Sequence, residues 1–204
     1  MEWIEVDLDA LDSTTTNKVI LFVGRNDDNI IRNNLIHDKG GNPGNTGPNV
    51  MHVETMVGAA SDTISVLNNI IYNIVETNGD HSVAINLNQW GGISYIYNNT
   101  IYNIVADDSG SPKYAYGIKF GYHTGATANV KNNLVAKLIT ETATQERAYH
   151  KGSSGSTANT ANNLSDDTTN AAYDAEDMGQ TLNDSSALIG KTLAEINFVS
   201  TTGG

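Results

Sequence analysis

Pairs of adjacent asparagines recur along this chain at nearly regular intervals. The Asn-Asn doublets lie at positions 33–34, 68–69, 98–99, 132–133 and 162–163, so their spacings are 35, 30, 34 and 30 residues. The flanking segments repeat as well, since residues 64–75 closely match residues 93–105. A period of about 20 to 50 residues is the signature of a repeat architecture. The chain is therefore predicted to fold as a stack of similar units.

Each unit has the residue pattern of short β-strands. Apolar and polar residues alternate before the doublets, as in Ile93, Ser94 and Tyr95, and β-branched residues are frequent. A further strand-like run follows in each unit, at residues 49–54, 82–88, 116–122 and 147–151. Asn tolerates the left-handed backbone conformation that a sharp corner between two strands requires. Stacked corner amides would also bond from coil to coil, which predicts a structural ladder of Asn33, Asn34, Asn68, Asn69, Asn98, Asn99, Asn132, Asn133, Asn162 and Asn163.

This pattern resembles the right-handed parallel β-helix of the pectin-lyase-like superfamily, in which a two-residue turn commonly forms an Asn ladder. The resemblance spans about residues 18–165 and implies an all-β solenoid of about four to five coils. We expect a β-helix over residues 1–165 and an irregular C-terminal tail or cap over residues 166–204. Within that tail, residues 192–195 have the spacing of a capping box and would open one short helix.

The charge of the chain restricts its partners. It has 11 basic and 23 acidic residues, and its formal net charge is −12. Nucleic acid is not expected as a partner, because phosphate backbones are bound chiefly by Lys and Arg. No run approaches the roughly 18 apolar residues of a membrane span, and residues 1–16 carry five acids where an export signal needs a basic start. The resemblance nevertheless implies an extracellular, cell-surface or virion-surface protein, and its open coil ends predict self-association.

Candidate site residues come from the strand-like runs that follow the variable loops. Alignment of their apolar positions predicts one outward row of His52, Asn86 and Lys119, with Glu54 and Asn88 in a neighbouring row. The loops beside these strands supply Trp90, Tyr116 and Tyr122. Aromatic rings stack on the apolar faces of sugars, and amides bond their hydroxyl groups. The sequence therefore predicts a polysaccharide-binding groove that contains Glu54, Asn86, Asn88, Trp90, Tyr116 and Tyr122.

Two functions fit such a groove. The first is a non-catalytic β-helix that binds polysaccharide or acts as an adhesive or structural rod. The second is a pectate-lyase-like polysaccharide lyase for an acidic glycan, with Lys119 as base and His52 nearby. The Gly-His-Gly and Arg-Ile-Lys motifs of related glycosidases are missing. A lyase would also need a group that neutralises the uronate, and Arg147, in the strand-like run at residues 147–151, is the one arginine near these runs. No cofactor or metal is expected for a binder, whereas a lyase would use Ca²⁺, with Glu54 and Asp80 as its acidic candidates.

Overall fold

The computed structural model describes residues 4–7, 18–23, 28–39, 49–54, 62–76, 81–87, 90–106, 113–140, 145–152, 155–166 and 173–175. The secondary-structure elements in these ranges are all β-strands. No helix in this part of the chain is long and apolar enough to cross a membrane. The predicted short helix at residues 192–195 lies outside the described residues.

Seventeen strands form three sheets in the described part of the chain. Sheet 1 consists of β2 (Lys18–Val23), β5 (Asn49–Glu54), β8 (Ser82–Leu87), β11 (Ala115–Phe120), β14 (Glu146–Lys151) and β17 (Tyr173–Ala175). Sheet 2 consists of β3 (Asp28–Arg32), β6 (Thr63–Leu67), β9 (Ile93–Tyr97), β12 (Thr127–Lys131) and β15 (Thr157–Ala161). Sheet 3 consists of β1 (Glu5–Asp7), β4 (Leu35–Lys39), β7 (Ile70–Glu76), β10 (Thr100–Ala106), β13 (Leu134–Thr140) and β16 (Leu164–Ser165).

The strands pair in parallel throughout and wind as a solenoid. Successive strands pass from sheet 1 to sheet 2 to sheet 3, which makes five complete coils, with β1 before the first and β17 after the last. The predicted all-β parallel β-helix is thus confirmed. Because β17 pairs with β14, sheet 1 continues into the segment that the sequence predicted as a tail.

Like residues stack from coil to coil in the interior. Sheet 2 places Ile31, Val66, Ile96 and Val130 in one register, and all four are fully buried. Sheet 3 builds a second buried row from Ile36, Ile71, Ile101 and Val135. β-Branched side chains suit this arrangement because they pack well on the pleated surface of a strand. These rows form the core on which the outward residues are displayed.

The two asparagines of each doublet have different roles. The first one adopts the left-handed conformation, with φ between 54° and 58°, at Asn33, Asn68, Asn98, Asn132 and Asn162. The second one is buried and carries the ladder, as at Asn34, Asn69, Asn99, Asn133 and Asn163. Each buried amide oxygen in the ladder accepts bonds from the coil before it, for example from the main-chain N–H and Nδ2 of Asn69 to Oδ1 of Asn99, both at 3.0 Å. The predicted Asn ladder is confirmed in the buried asparagines, and among the turning asparagines Nδ2 of Asn68 also donates to Asn33 Oδ1 at 3.3 Å.

A second row of left-handed residues bends the strands of sheet 3. It consists of Asp38, Asn73, Asn103 and Lys137, with φ between 55° and 59°. Nδ2 of Asn103 donates to Asn73 Oδ1 at 2.8 Å, and Nδ2 of Asn73 donates to Asp38 Oδ1 at 2.7 Å. The bond from Asn73, followed by the bond from His37, lowers the pKa of Asp38. Four of the five coils are therefore bent at a second position, which the sequence did not predict.

Candidate functional site

The register of sheet 1 decides which candidate residues are neighbours. His52 pairs with Asn86, Asn86 with Lys119, and Lys119 with His150, so these four residues form one row along the solenoid. Two residues of this row are closed to solvent, because Asn86 is only 7% exposed and His150 only 1%. Lys119 between them is half-buried. The alignment of the row is as predicted, but Asn86 contributes little accessible surface to a groove.

The predicted contact of Trp90 with a ligand is corrected by its burial. Trp90 is 2% exposed and belongs to the hydrophobic core. Its indole Nε1 donates to the carbonyl of Ile93 at 3.0 Å, and its main-chain N–H donates to the carbonyl of Leu87 at 3.1 Å. The ring therefore closes the corner between β8 and β9 from inside. It has no face available for a sugar.

Two cations and two tyrosines form a continuous stack at β11 and β14. Nζ of Lys119 lies 4.5 Å from the centre of the Tyr116 ring. The rings of Tyr116 and Tyr114 stack with their centres 5.6 Å apart, and Cζ of Arg147 lies 5.2 Å from the Tyr114 centre. Ring faces attract cations, so each tyrosine holds one of the positive groups in place. We call Lys119, Tyr116, Tyr114 and Arg147 the cation–tyrosine stack.

Two histidines border this stack. His81 meets Tyr114 and Tyr116 edge to face at 5.2 and 5.7 Å, and His150 meets Tyr116 in the same manner at 5.0 Å. The main-chain N–H of Tyr114 donates to Nδ1 of His81 at 3.1 Å. The main-chain N–H can only donate, so Nδ1 of His81 is the acceptor in this contact. The histidines therefore brace Tyr116, which is itself 1% exposed.

Tyr122 supplies the accessible ring that Trp90 does not. Its side chain is 44% exposed, and its centre lies 5.7 Å from Nζ of Lys119. The ring packs directly on Gly152, because a Cβ atom at that position would overlap with Cδ2 of Tyr122. Because residue 152 has no side chain, the Tyr122 ring can lie directly against the backbone of the next coil. A ring fixed in this way loses little conformational entropy when a ligand stacks on it.

Other predicted site residues are not assembled by the described structure. His52 and Glu54 lie in β5, but the structure describes only their backbone, and Asn88 lies outside the described residues. Among the side chains that the structure does describe, no group of three or more His, Asp or Glu is arranged to hold a metal ion. The predictions for His52, Glu54, Asn88 and a Ca²⁺ site stay predictions.

Sequence reasoning missed His81 and considered Arg147 only as the neutralising partner of a lyase. Alignment of the strands could have identified His81. Ala115 pairs with Ser82, so Tyr114 and His81, the residues just before these two strands, occupy aligned positions. Arg147 pairs with Tyr116, and its side chain belongs to this site only if residue 147 of β14 faces outward. That choice was open in the sequence.

Comparison of the chain with models of protein families, with curated proteins and with solved structures finds no match. The function therefore has to be inferred from the site itself, in which tyrosine rings hold two cations beside one exposed ring that packs on Gly152.

Proposed function

We propose that this protein is a non-catalytic, extracellular or surface-exposed β-helix that binds acidic polysaccharide on the outer face of sheet 1. The observation that carries the proposal is the cation–tyrosine stack with Tyr122 beside it. The chain has a net charge of −12. Two cations at one site in so acidic a chain suggest an anionic ligand. The three parallel sheets and the Asn ladder also favour a place for the chain in the pectin-lyase-like superfamily.

The chemistry of an acidic sugar matches the two kinds of group at this site. The exposed ring of Tyr122 offers an apolar face for the CH groups of a pyranose. Lys119 and Arg147 offer N–H donors to a carboxylate, and such charge-assisted bonds are stronger than neutral ones. The site is open to water, so we expect weak binding of a short oligosaccharide, about 4 to 6 kcal/mol.

Calorimetric titration of two variants tests the proposal. Tyr122→Ala should abolish binding of a uronate hexasaccharide, because stacking on this ring is the principal apolar contact. Lys119→Gln should weaken uronate binding about fivefold to tenfold, or about 1 to 1.4 kcal/mol, and leave a neutral hexasaccharide unaffected. The matched controls are Tyr97→Ala and Lys131→Gln, which remove a half-buried ring and a half-buried cation from sheet 2. Wild-type protein that binds no acidic oligosaccharide would refute the proposal.

Gly152→Ala provides a test that alters no group in contact with the ligand. The added methyl group would occupy the position of the Tyr122 ring, so the ring must leave its place on the backbone. We expect uronate binding to fall nearly as far as in Tyr122→Ala, although the tyrosine is still present. The measurement is the same titration, with circular dichroism to confirm the folded state. Undiminished binding would show that the position of the ring on Gly152 is unimportant.

A lyase is the second candidate, and the presence of both Lys119 and Arg147 in the cation–tyrosine stack favours it. A lyase needs a base and a group that neutralises the uronate, and the cation–tyrosine stack contains one candidate for each. However, the Tyr116 and Tyr122 rings attract the charged ammonium, whereas a general base must be the neutral amine. The ultraviolet absorbance of unsaturated products, measured over a panel of pectate, alginate and glycosaminoglycans, separates the two candidates. Product formation that Lys119→Gln removes would establish the lyase.

A further inference from the structure

The two cations of the stack are offset along the strands. Lys119 pairs with His150, which lies three residues beyond Arg147 on β14. Three residues of a strand extend about 10 Å, whereas neighbouring strands are only about 4.8 Å apart. The Cα atoms of Lys119 and Arg147 are therefore separated mainly along the strand direction, across the solenoid. A length of about 10 Å corresponds to roughly two sugar units.

The burial of neighbouring residues also favours a ligand path along the strands over one along the solenoid axis. A chain laid along the solenoid axis at Lys119 would have to pass over Asn86 and His150, and both are closed to solvent. In the strand direction the path runs from Arg147 and Tyr114 to Lys119 and Tyr122, which are all at least partly exposed, and only Tyr116 along it is closed to solvent. The rings of Tyr114 and Tyr116 occupy the interval between the two cations. An uncharged sugar unit fits over this interval better than a charged one, because the interval contains no further cation among the described residues.

We infer that the site selects oligosaccharides with carboxylates on alternate sugar units, lying parallel to the strands. Lys119 pairs with one carboxylate, Arg147 pairs with the carboxylate two units away, and the unit between them lies beside the partly exposed Tyr114. This inference rests on the proposed function and adds to it the charge spacing and direction of the ligand. It also differs from the expectation that the sequence raised, in which a ligand follows one row along the axis.

Three trisaccharides of equal length test the inference by calorimetry. The first has uronates at units 1 and 3, the second at units 1 and 2, and the third at unit 2 alone. We expect the first to bind at least tenfold tighter than the third and several-fold tighter than the second, which has the same net charge. Equal affinity of the first and second trisaccharides for the wild-type protein would overturn the inference.

Substitutions test whether Arg147 produces the preference for carboxylates on alternate sugar units. In Arg147→Gln the three trisaccharides should bind with similar affinity, whereas Arg147→Lys should retain part of the preference because it retains the charge. Lys131→Gln on sheet 2 should retain all of it. A preference that persists in Arg147→Gln would also overturn the inference. If uronate hexasaccharides bind in a Tyr122-dependent manner without any spacing preference, the inference fails and the proposed function stands; if no acidic glycan binds at all, the proposed function fails.

Discussion

Asn99→Leu should lower the free energy of unfolding by about 3 to 5 kcal/mol, the largest effect that we expect from a single substitution in this chain. The Asn99 side chain takes part in four buried hydrogen bonds. Its Oδ1 accepts from the main-chain N–H and Nδ2 of Asn69, and its Nδ2 donates to the Val66 carbonyl and to Asn133 Oδ1. Leucine has a similar volume but leaves these partners unsatisfied in the interior. Urea denaturation of both proteins gives the difference.

Asn98→Gly is the matched control for that substitution. Asn98 is exposed and has φ of 57°, a conformation that glycine adopts without strain. We therefore expect a change within about 0.5 kcal/mol. Equal losses in the two variants would show that the exposed Asn98 side chain contributes as much as the buried Asn99 amide, which would contradict the separate roles assigned to the two residues.

Gly117→Ala should cost about 2 to 3 kcal/mol, because the position has no room for a methyl group. Gly117 lies in β11 between Tyr116 and Ile118. A Cβ atom there would stand 2.5 Å from Cγ1 of Val135 and 2.6 Å from the Ala148 carbonyl oxygen. The glycine lets β11 approach β13 closely, and Tyr116 beside it is turned toward Lys119 and His150.

A double-mutant cycle with Val135→Ala identifies the cause of this loss. Removal of the valine methyl groups relieves one of the two clashes and leaves the one with the Ala148 carbonyl oxygen. The two substitutions should therefore be coupled favourably by about 1 kcal/mol. Strictly additive losses in thermal or urea denaturation would show that Gly117 is needed for a reason other than the space facing β13.

The architecture was predictable because its determinants repeat. Residues that recur every 30 to 35 positions occupy equivalent places in successive coils. The doublet at 98–99 predicted both a corner and a ladder, and the structure confirms both. The different roles of the two asparagines were not predictable, because the two residues have the same side chain. Only the path of the backbone determines that Asn98 turns the chain and Asn99 points inward.

The candidate site was predictable only in part, because its residues come from different coils and from the ends of strands. The alignment of His52, Asn86 and Lys119 follows from inward residues that alternate along the strands, so the sequence contained it. Trp90 was assigned to the groove, yet it closes a corner from inside.

By itself, then, the sequence determined the parallel solenoid, the corner ladder and the row through Lys119, because each depends on a local pattern that every coil repeats. Only the tertiary structure decided that Tyr122 rests on Gly152 and that Arg147 lies against Tyr114. The physical reason is that these contacts join residues of neighbouring coils at positions where the repeat is broken. A period specifies what recurs in a fold, whereas a binding site is built from the side chains that differ between one coil and the next.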